Sequence, residues 1–206
     1  MIVPEQYSYR TERSLTSALG ATGQAGAEVL TFSRLARRIF QLTGGITGEH
    51  ITPAGKSMLV YKALAASQTK MKIFGGACER HGFADRVSGL ISEFKRYGLK
   101  PDMLKKRAEE AAQGVYAAKL FDLAMIYETF CDLTKDDYID PDDNLFLAAA
   151  AMMRCDYLNG ALIWISEFSD FLPHHYAFIE ALIQKAQQVR VSLCCDKERD
   201  IEGIFA

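Results

Sequence analysis

ALIWISEFSDFLPHHY, residues 161–176, is the stretch that decides the fold class. It begins with a short apolar run, Leu162–Ile165, which stops at polar residues before Pro173 opens an amphipathic segment that reaches Ala186. A second apolar run, Val189–Cys195, follows. A buried strand, a polar turn, a helix and a returning strand form a βαβ unit, so this part predicts two neighbouring parallel strands.

Carboxylates follow directly on the first of these strands. Glu167 and Asp170 lie just past its carboxyl end, where open α/β sheets bind their ligands. In nucleotide-hydrolysing motor proteins an acidic pair at this place handles magnesium and water. Here the leading position is Ser166, so we interpret Ser166, Glu167 and Asp170 as a degenerate form of a nucleotide- and magnesium-related motif.

The first fifty residues alternate strand and helix. Ile2-Val3 is typical of the end of a strand, and a helical stretch runs over 7–19. Residues 28–32 are apolar and β-prone, and Ser33 is the expected N-cap of a helix over 34–42. This β-α-β-α order is typical of a parallel sheet.

The middle of the chain changes to helical periodicity. Thr52-Pro53 suits a helix start, and helices are predicted over 54–67, 83–97, 102–112, 115–134 and 141–155. We therefore predict a split α/β domain, 1–52 with 157–206, around an all-helical insertion over 53–156. The parallel sheet of that domain is expected to be incomplete at both ends.

Composition and charge limit the class of protein. The 206 residues are 49% hydrophobic and 24% charged, and the formal net charge of -2 argues against a strongly basic nucleic-acid module but leaves room for a local basic groove. No apolar run approaches the ~20 residues of a membrane span, and no signal peptide follows Met1. The five cysteines lack a C-x-x-C spacing, so we expect reduced thiols in a cytoplasmic protein and no metal site built from them.

Two other patterns are similar to ligand sites, and for both we favour the simpler interpretation. Ala54-Gly55-Lys56-Ser57 lacks the first glycine of a phosphate-binding loop, since His50 stands there, so we expect a helix start with Lys56 solvated. His174 and His175 precede a helix without a nearby third ligand, and we expect them at the surface.

Two segments are candidate contacts for single-stranded DNA. Thr31-Phe32-Ser33-Arg34 lies at a strand end and a helix start, where hydroxyls and free amides suit a phosphate oxygen and Phe32 could stack on a base. Lys95 and Arg96 end a predicted helix beside aromatic residues. The alternatives are capping and core packing for the first segment, and complementing the helix dipole for the second.

Five segments carry a resemblance to a known family. They are VPEQ at 3–6, VLTFSRLARR at 29–38, ISEFKRYG at 91–98, AKLFDLAMIY at 118–127 and IWISEF at 163–168. In this order and spacing they resemble the AddB (RexB-like) family, whose members are subunits of the AddAB helicase–nuclease that processes broken DNA ends for recombination. The resemblance covers nearly the whole chain.

The resemblance implies a RecA-like (P-loop NTPase-type) domain with a helical insertion, whose motor does not drive unwinding. It implies a much longer subunit, with ATP and magnesium as cofactors and an iron–sulfur cluster in a C-terminal nuclease domain. It also implies that Thr31, Phe32, Ser33 and Arg34 match a helicase motif that contacts the single strand. Ser166-Glu167 matches the magnesium-binding acidic motif, with serine where members of the family often keep aspartate.

We therefore expect a piece of such a subunit that binds single-stranded DNA and acts as a scaffold, with no catalysis or cofactor of its own. Its expected partner is an AddA-like helicase–nuclease subunit, and no membrane is involved. Two alternatives stay open. One is an ATPase or helicase domain whose phosphate-binding loop lies upstream of this chain, and the other is a protein-interaction domain.

Overall fold

A computed structural model describes residues 1–23, 26–45, 48–80, 82–111 and 114–193. The protein is α/β and mostly helical, with two small parallel sheets. Its elements are α1 (Ser8–Gly23), α2 (Phe32–Leu42), β1 (Glu49–His50), α3 (Pro53–Ser67), α4 (Phe83–Arg96), α5 (Pro101–Glu110), α6 (Val115–Thr134), β2 (Tyr138–Ile139), α7 (Asn144–Met152), β3 (Leu162–Ile165), α8 (Pro173–Lys185) and β4 (Gln188–Val191).

The predicted βαβ unit is confirmed. Strands β3 and β4 pair in parallel, with Leu162 opposite Gln188 and Ile165 opposite Val191, and α8 connects them. The strand β4 ends at Val191, short of the predicted end at Cys195. Cys194, Cys195 and Asp196 lie outside the described residues.

A third parallel segment precedes these strands at the amino terminus. Ile2 forms single parallel bridges to Leu30 on one side and to Ile165 on the other. The predicted strand over 28–32 is wrong in extent, because only Leu30 pairs. The physical reason is the early helix start: Thr31 is the N-cap of α2 and Phe32 is already helical, so Ser33 is not the cap.

The chain divides into two compact units. The first consists of Met1–Gly45 and Leu145–Ala206, and the second consists of Ile46–Asn144. The core of the first unit lies on one face of the parallel segments. Ile2, Leu30, Ile163 and Ile165 point into it, because alternate residues of a strand face the same side. Helices α2, α7 and α8 supply the opposing side chains, among them Leu35, Ile39, Met152, Phe178 and Leu182.

The second unit is built mainly from α3, α4, α5 and α6, which pack around Val60, Leu64, Ile91 and Phe130. It is not all-helical as predicted, because β1 and β2 pair in parallel, Glu49 with Tyr138 and His50 with Ile139. Strands of two residues carry too few positions to show a period in the sequence. That the chain is a split α/β domain, 1–52 with 157–206, around a helical insertion subdomain over 53–156 stays a prediction.

The described residues contain no helix with the length and apolar character needed to cross a membrane. Three cysteines in the described part of the chain are free thiols, Cys78, Cys131 and Cys155. Burial raises the pKa of Cys78 and of Cys131 above the ordinary thiol value.

Candidate functional site

The carboxyl ends of three parallel segments lie at one edge of the first unit. Ile2-Val3 leads to Glu5, Leu30 leads to Thr31–Arg34, and β3 leads to Ser166–Asp170. We call these following residues the carboxyl edge. They include two of the predicted groups, and the structure brings these together, since the ring centroids of Phe32 and Phe168 lie 5.1 Å apart. Open α/β sheets bind ligands at such an edge.

Thr31 joins the start of α2 to the neighbouring turn. Its hydroxyl donates to Glu5 Oε1 at 2.7 Å and accepts from the Arg34 backbone N–H at 3.2 Å. A threonine hydroxyl has one proton to donate, and here Glu5 accepts it. Thr31 is also only 3% exposed. In this structure Thr31 positions the helix start and has no donor left for a phosphate oxygen.

Phe32 is a core residue. It is 5% exposed, and its ring stacks on His175 with centroids 5.1 Å apart and meets the edge of Phe178 at 5.7 Å. A base would need a free ring face for stacking, and these neighbours occupy the ring. The packing alternative therefore describes Phe32 in this structure, and the stacking role predicted for it has no geometric support here.

Ser33 and Arg34 are the exposed members of the predicted DNA-contacting segment. Both lie in the first turn of α2, where the partial positive charge of the helix dipole is concentrated. The arrangement can hold an anionic oxygen with a hydroxyl and a guanidinium group. Contact with DNA at Thr31, Phe32, Ser33 and Arg34 is not tested by this geometry and stays a prediction.

The acidic motif follows β3 at the same edge. The Ser166 backbone N–H donates to the Ile2 carbonyl at 3.0 Å, which continues the parallel pairing. Glu167 is exposed and has φ of 68°, a left-handed conformation found at no other non-glycine residue in the described ranges. Such a conformation costs on the order of 1 kcal/mol. Asp170 is exposed and accepts from the Ser169 hydroxyl.

A magnesium ion held by protein ligands alone does not fit these residues. Within the described part of the chain, no three His, Cys, Asp or Glu side chains are grouped so that they could hold a metal ion. Ser166 supplies no carboxylate at the leading position. We therefore derive no catalytic step through a metal at this edge.

His175 belongs to the site and is half-buried, so the prediction that it lies at the surface is wrong in part. Its Nδ1 accepts the Leu172 backbone N–H at 3.1 Å, which caps the start of α8. Burial, and after it the neighbouring His174, lower the pKa of His175 to about 4, although Asp170 opposes the shift. His174 is buried as well, at 9% exposed. Sequence reasoning placed both residues at a helix start but missed their burial and the capping role of His175, because only Pro173 in this stretch is a usual helix-start signal.

Lys95 and Arg96 lie in the second unit and are bound by carboxylates. We call Lys56, Lys95, Arg96, Asp140, Asp142 and Asp143 the charge cluster. Lys95 is 7% exposed, with its Nζ 2.9 Å from Asp140 Oδ2 and in contact with Asp143. Arg96 Nε lies 3.2 Å from Asp142 Oδ1, although half of its side chain is exposed. In this conformation Lys95 is not available to a DNA phosphate.

Lys56 is the lysine of the Ala-Gly-Lys-Ser segment, which is similar to part of a phosphate-binding loop. It is not solvated as predicted. Its Nζ lies 2.8 Å from Asp140 Oδ2 and 2.7 Å from Asp142 Oδ2, and the residue is 6% exposed. The helix start itself is confirmed, because the Gly55 N–H donates to the Thr52 hydroxyl at 3.1 Å. The segment is therefore a capped helix with a buried lysine and not a phosphate-binding loop.

Three members of the charge cluster, Lys95, Asp142 and Asp143, have shifted pKa values. Burial lowers the pKa of Lys95, but Asp143 and Asp140 outweigh it and hold this pKa above its ordinary value. Burial raises the pKa of Asp142, but Lys56 outweighs it and the result lies below the ordinary value. For Asp143 burial outweighs Lys95, so its pKa is raised. The cluster holds cations and anions together inside the second unit, which is a structural arrangement.

Comparison with known proteins places the whole chain in one family. The family model described as ADDB, N-terminal matches residues 1–204. The chain is 38% identical over 197 residues to the B subunit of the ATP-dependent helicase/deoxyribonuclease of Clostridium tetani, which covers 94% of this chain and 17% of that protein. It is 41% identical over 197 residues to the protein of the same name from Acetivibrio thermocellus, covering 95% and 17%.

A third relative gives the same result. The protein of the same name from Clostridium acetobutylicum is 36% identical over 209 residues, which is 99% of this chain and 18% of that protein. The chain thus spans less than a fifth of the length of these curated relatives. The match over nearly every residue means that the chain belongs to the ADDB N-terminal family.

Proposed function

We propose that this chain contacts single-stranded DNA through the first turn of α2, as a binding and scaffolding part of a helicase–nuclease subunit in the cytoplasm. In this proposal it has a RecA-like arrangement, works beside an AddA-like partner subunit and does not hydrolyse ATP by itself. The relatives are named as one subunit of a helicase/deoxyribonuclease, and this supports a partner subunit. The main support for the DNA contact is that Ser33 and Arg34 are exposed side by side at the carboxyl edge.

The charges around this turn predict weak binding that depends on salt. Glu5 lies next to Thr31, so a carboxylate stands close to any phosphate that reaches Ser33. The formal net charge of -2 supplies no general attraction to DNA. A single arginine contact to a phosphate contributes one released counterion, or a slope of about -0.7 in log K against log salt for single strands. Tight binding would require further contacts from the rest of the subunit.

The test is the variant Arg34→Ala, with Arg37→Ala as its matched control. Both substitutions remove one positive charge from an exposed position of α2, but only Arg34 lies in the first turn. Fluorescence anisotropy with a labelled single-stranded oligonucleotide at low salt should show about tenfold weaker binding for Arg34→Ala and a salt slope reduced by about 0.7. Arg37→Ala should weaken binding less than Arg34→Ala, because it removes the same general charge attraction but lies beyond the first turn of the helix and makes no contact there in this proposal.

Equal losses in the two variants would mean that α2 attracts DNA only by its overall charge. Unchanged binding in Arg34→Ala would place the contact elsewhere, and Arg96 is then the next residue to replace. Phe32→Ala is not a useful variant, because Phe32 is packed against His175 and Phe178 and its removal would destabilise the core.

A second candidate function is an ATPase domain completed by a phosphate-binding loop outside this chain. The conformation of Glu167 favours it, because strained residues at the ends of strands often serve a functional site. In that case a longer polypeptide should hydrolyse ATP and lose the activity with Glu167→Gln. Unchanged turnover in Glu167→Gln would remove this candidate.

A further inference from the structure

The β3–β4 pair has a partly apolar face that no described element covers. Side chains alternate along β3, so Ile163 and Ile165 are buried in the core, while Leu162 and Trp164 point to the opposite side and are 50% and 41% exposed. On β4 the residues Gln188 and Arg190 are exposed beside them. We call Leu162, Trp164, Gln188 and Arg190 the outer face.

The neighbouring half of the same side is covered. Val3 follows the bridged residue Ile2, and Val29 precedes the bridged residue Leu30. Because side chains alternate along a strand, Val3 and Val29 point away from the core. They are nevertheless 0% and 6% exposed. The element beside them is α1, whose Leu15 lines two surface hollows, one with Met1 and one with Val29. On this side α1 thus lies beside the amino-terminal segments, whereas Leu162 and Trp164 of β3 are exposed.

Parallel strands occur almost only in sheets that are covered on both faces, because their connections are helices that pack there. All the pairings of the first unit are parallel, and its core side is covered by α2, α7 and α8. We propose that the outer face is a docking surface for an amphipathic helix contributed by the remaining part of a full-length polypeptide of this family. The relatives are long enough to supply it, since this chain spans 17% of their length.

The chemistry of the outer face defines the helix that fits it. Because Leu162 and Trp164 are exposed apolar side chains, a helix that binds them should carry an apolar stripe. Arg190 lies over the Trp164 ring, with its guanidinium carbon 5.8 Å from the ring centroid. A helix that binds here should therefore carry a carboxylate at the edge of its apolar stripe, where it can pair with Arg190. A second copy of this chain is a poorer occupant. Two outer faces meeting about a two-fold axis would bring two Arg190 side chains together, and like charges repel.

The single tryptophan of the chain makes the docking measurable. The chain is labelled with 5-fluorotryptophan, so that its one fluorine resonance reports on Trp164 alone. The unlabelled probe is the part of the Acetivibrio thermocellus relative that lies outside the matched region, used only as the monodisperse preparation that circular dichroism shows to be folded. The resonance should shift with added probe until it saturates. Arg190→Glu and Leu162→Asp should each weaken the binding by about tenfold or more, as substitutions at the centre of an interface do.

The control variant is Ile183→Asp, which places a charge at an equally exposed apolar residue of α8 on the core side of the strands. It should bind the probe as the parent does, and circular dichroism should show the parent fold for all three variants. The proposal is overturned if the probe causes no saturable shift, or if Arg190→Glu binds as tightly as Ile183→Asp. It is also overturned if the resonance shifts with the concentration of this chain alone, which would assign the outer face to a second copy, or with single-stranded DNA.

Discussion

Asp122 is a buried carboxylate that orders a loop by accepting three consecutive backbone amides. Its Oδ1 accepts the Lys72 N–H at 2.9 Å, and its Oδ2 accepts the N–H groups of Ile73 and Phe74 at 2.7 and 3.0 Å. The residue is 0% exposed on α6. A buried carboxylate is stable only with such partners, and the amides in turn have no comparable acceptor once the carboxylate is removed.

The variant Asp122→Ala should lower the free energy of unfolding by about 1–3 kcal/mol, because it removes three hydrogen bonds made by a buried carboxylate to part-buried backbone amides. Urea denaturation followed by circular dichroism measures the change. Asp132→Ala is the control, since it removes an exposed carboxylate from the same helix, and it should stay within about 0.5 kcal/mol of the parent. Equal stabilities of the two variants would contradict the role of Asp122.

At the scale of elements, the start of α8 links the acidic motif to α2. Pro173 occupies the first turn, and the His175 Nδ1 accepts the Leu172 N–H. The same imidazole stacks on Phe32 at the start of α2, with an interplanar angle of 19°. An imidazole that accepts at Nδ1 must be unprotonated there, so the helix start depends on the neutral form.

This dependence predicts a loss of stability in mild acid. The pKa of His175 is lowered by burial to about 4, whereas the unfolded chain binds the proton near 6.5. Between these values the unfolded state holds more protons than the folded state. The free energy of unfolding therefore falls as pH drops from 6.5 toward 4, and the stabilising contribution of His175 is fully present above pH 6.5. The slope should be below about 1.4 kcal/mol per pH unit, because water screens part of the ring.

Urea titrations at several pH values measure this slope. His175→Asn keeps an acceptor for the Leu172 N–H but does not titrate, so its slope over this range should be smaller than that of the parent. His50→Asn replaces an exposed histidine of β1 and should leave the slope unchanged. A parent slope that survives in His175→Asn would show that other groups cause the acid sensitivity.

At the scale of the whole molecule, the chain consists of two compact units, each with its own hydrophobic core. The candidate DNA contact and the acidic motif belong to the first unit, and the charge cluster belongs to the second. Neither unit contains a G-x-x-x-x-G-K-[ST] sequence, and the one Gly-Lys-Ser triplet has its lysine bound to Asp140 and Asp142.

The chain by itself should therefore release no phosphate from ATP, with or without single-stranded DNA. Phosphoryl transfer depends on positioning and on charge at the phosphates, and the sequence has no phosphate-binding-loop motif to supply them, while Lys56 of its Gly-Lys-Ser triplet is bound by carboxylates. A coupled phosphate-release assay on the purified chain measures this. ATP hydrolysis that is stimulated by DNA and abolished by Glu167→Gln would contradict the prediction.

The local patterns of the sequence determined the elements and the family. Helix α3 begins at Thr52-Pro53 and α6 spans the predicted residues 115–134, because proline, glycine and helical periodicity act within one segment. The βαβ unit was predictable for the same reason, since its apolar runs and turn lie within thirty residues. The position of Ser33 and Arg34 at a strand end and helix start was predictable from the sequence, and their contact with DNA stays a prediction.

Only the tertiary structure decided which polar and aromatic residues are available. Phe32 has the residue type of a stacking platform, but it packs against Phe178 from the other end of the chain. Lys56 has the residue type of a phosphate ligand, but Asp140, 84 residues away, binds it in the interior. A lysine or an aromatic ring is equally compatible with solvent and with burial until its partners are placed. The cost of burying a charge is offset only where folding brings the opposite charge to within hydrogen-bonding distance.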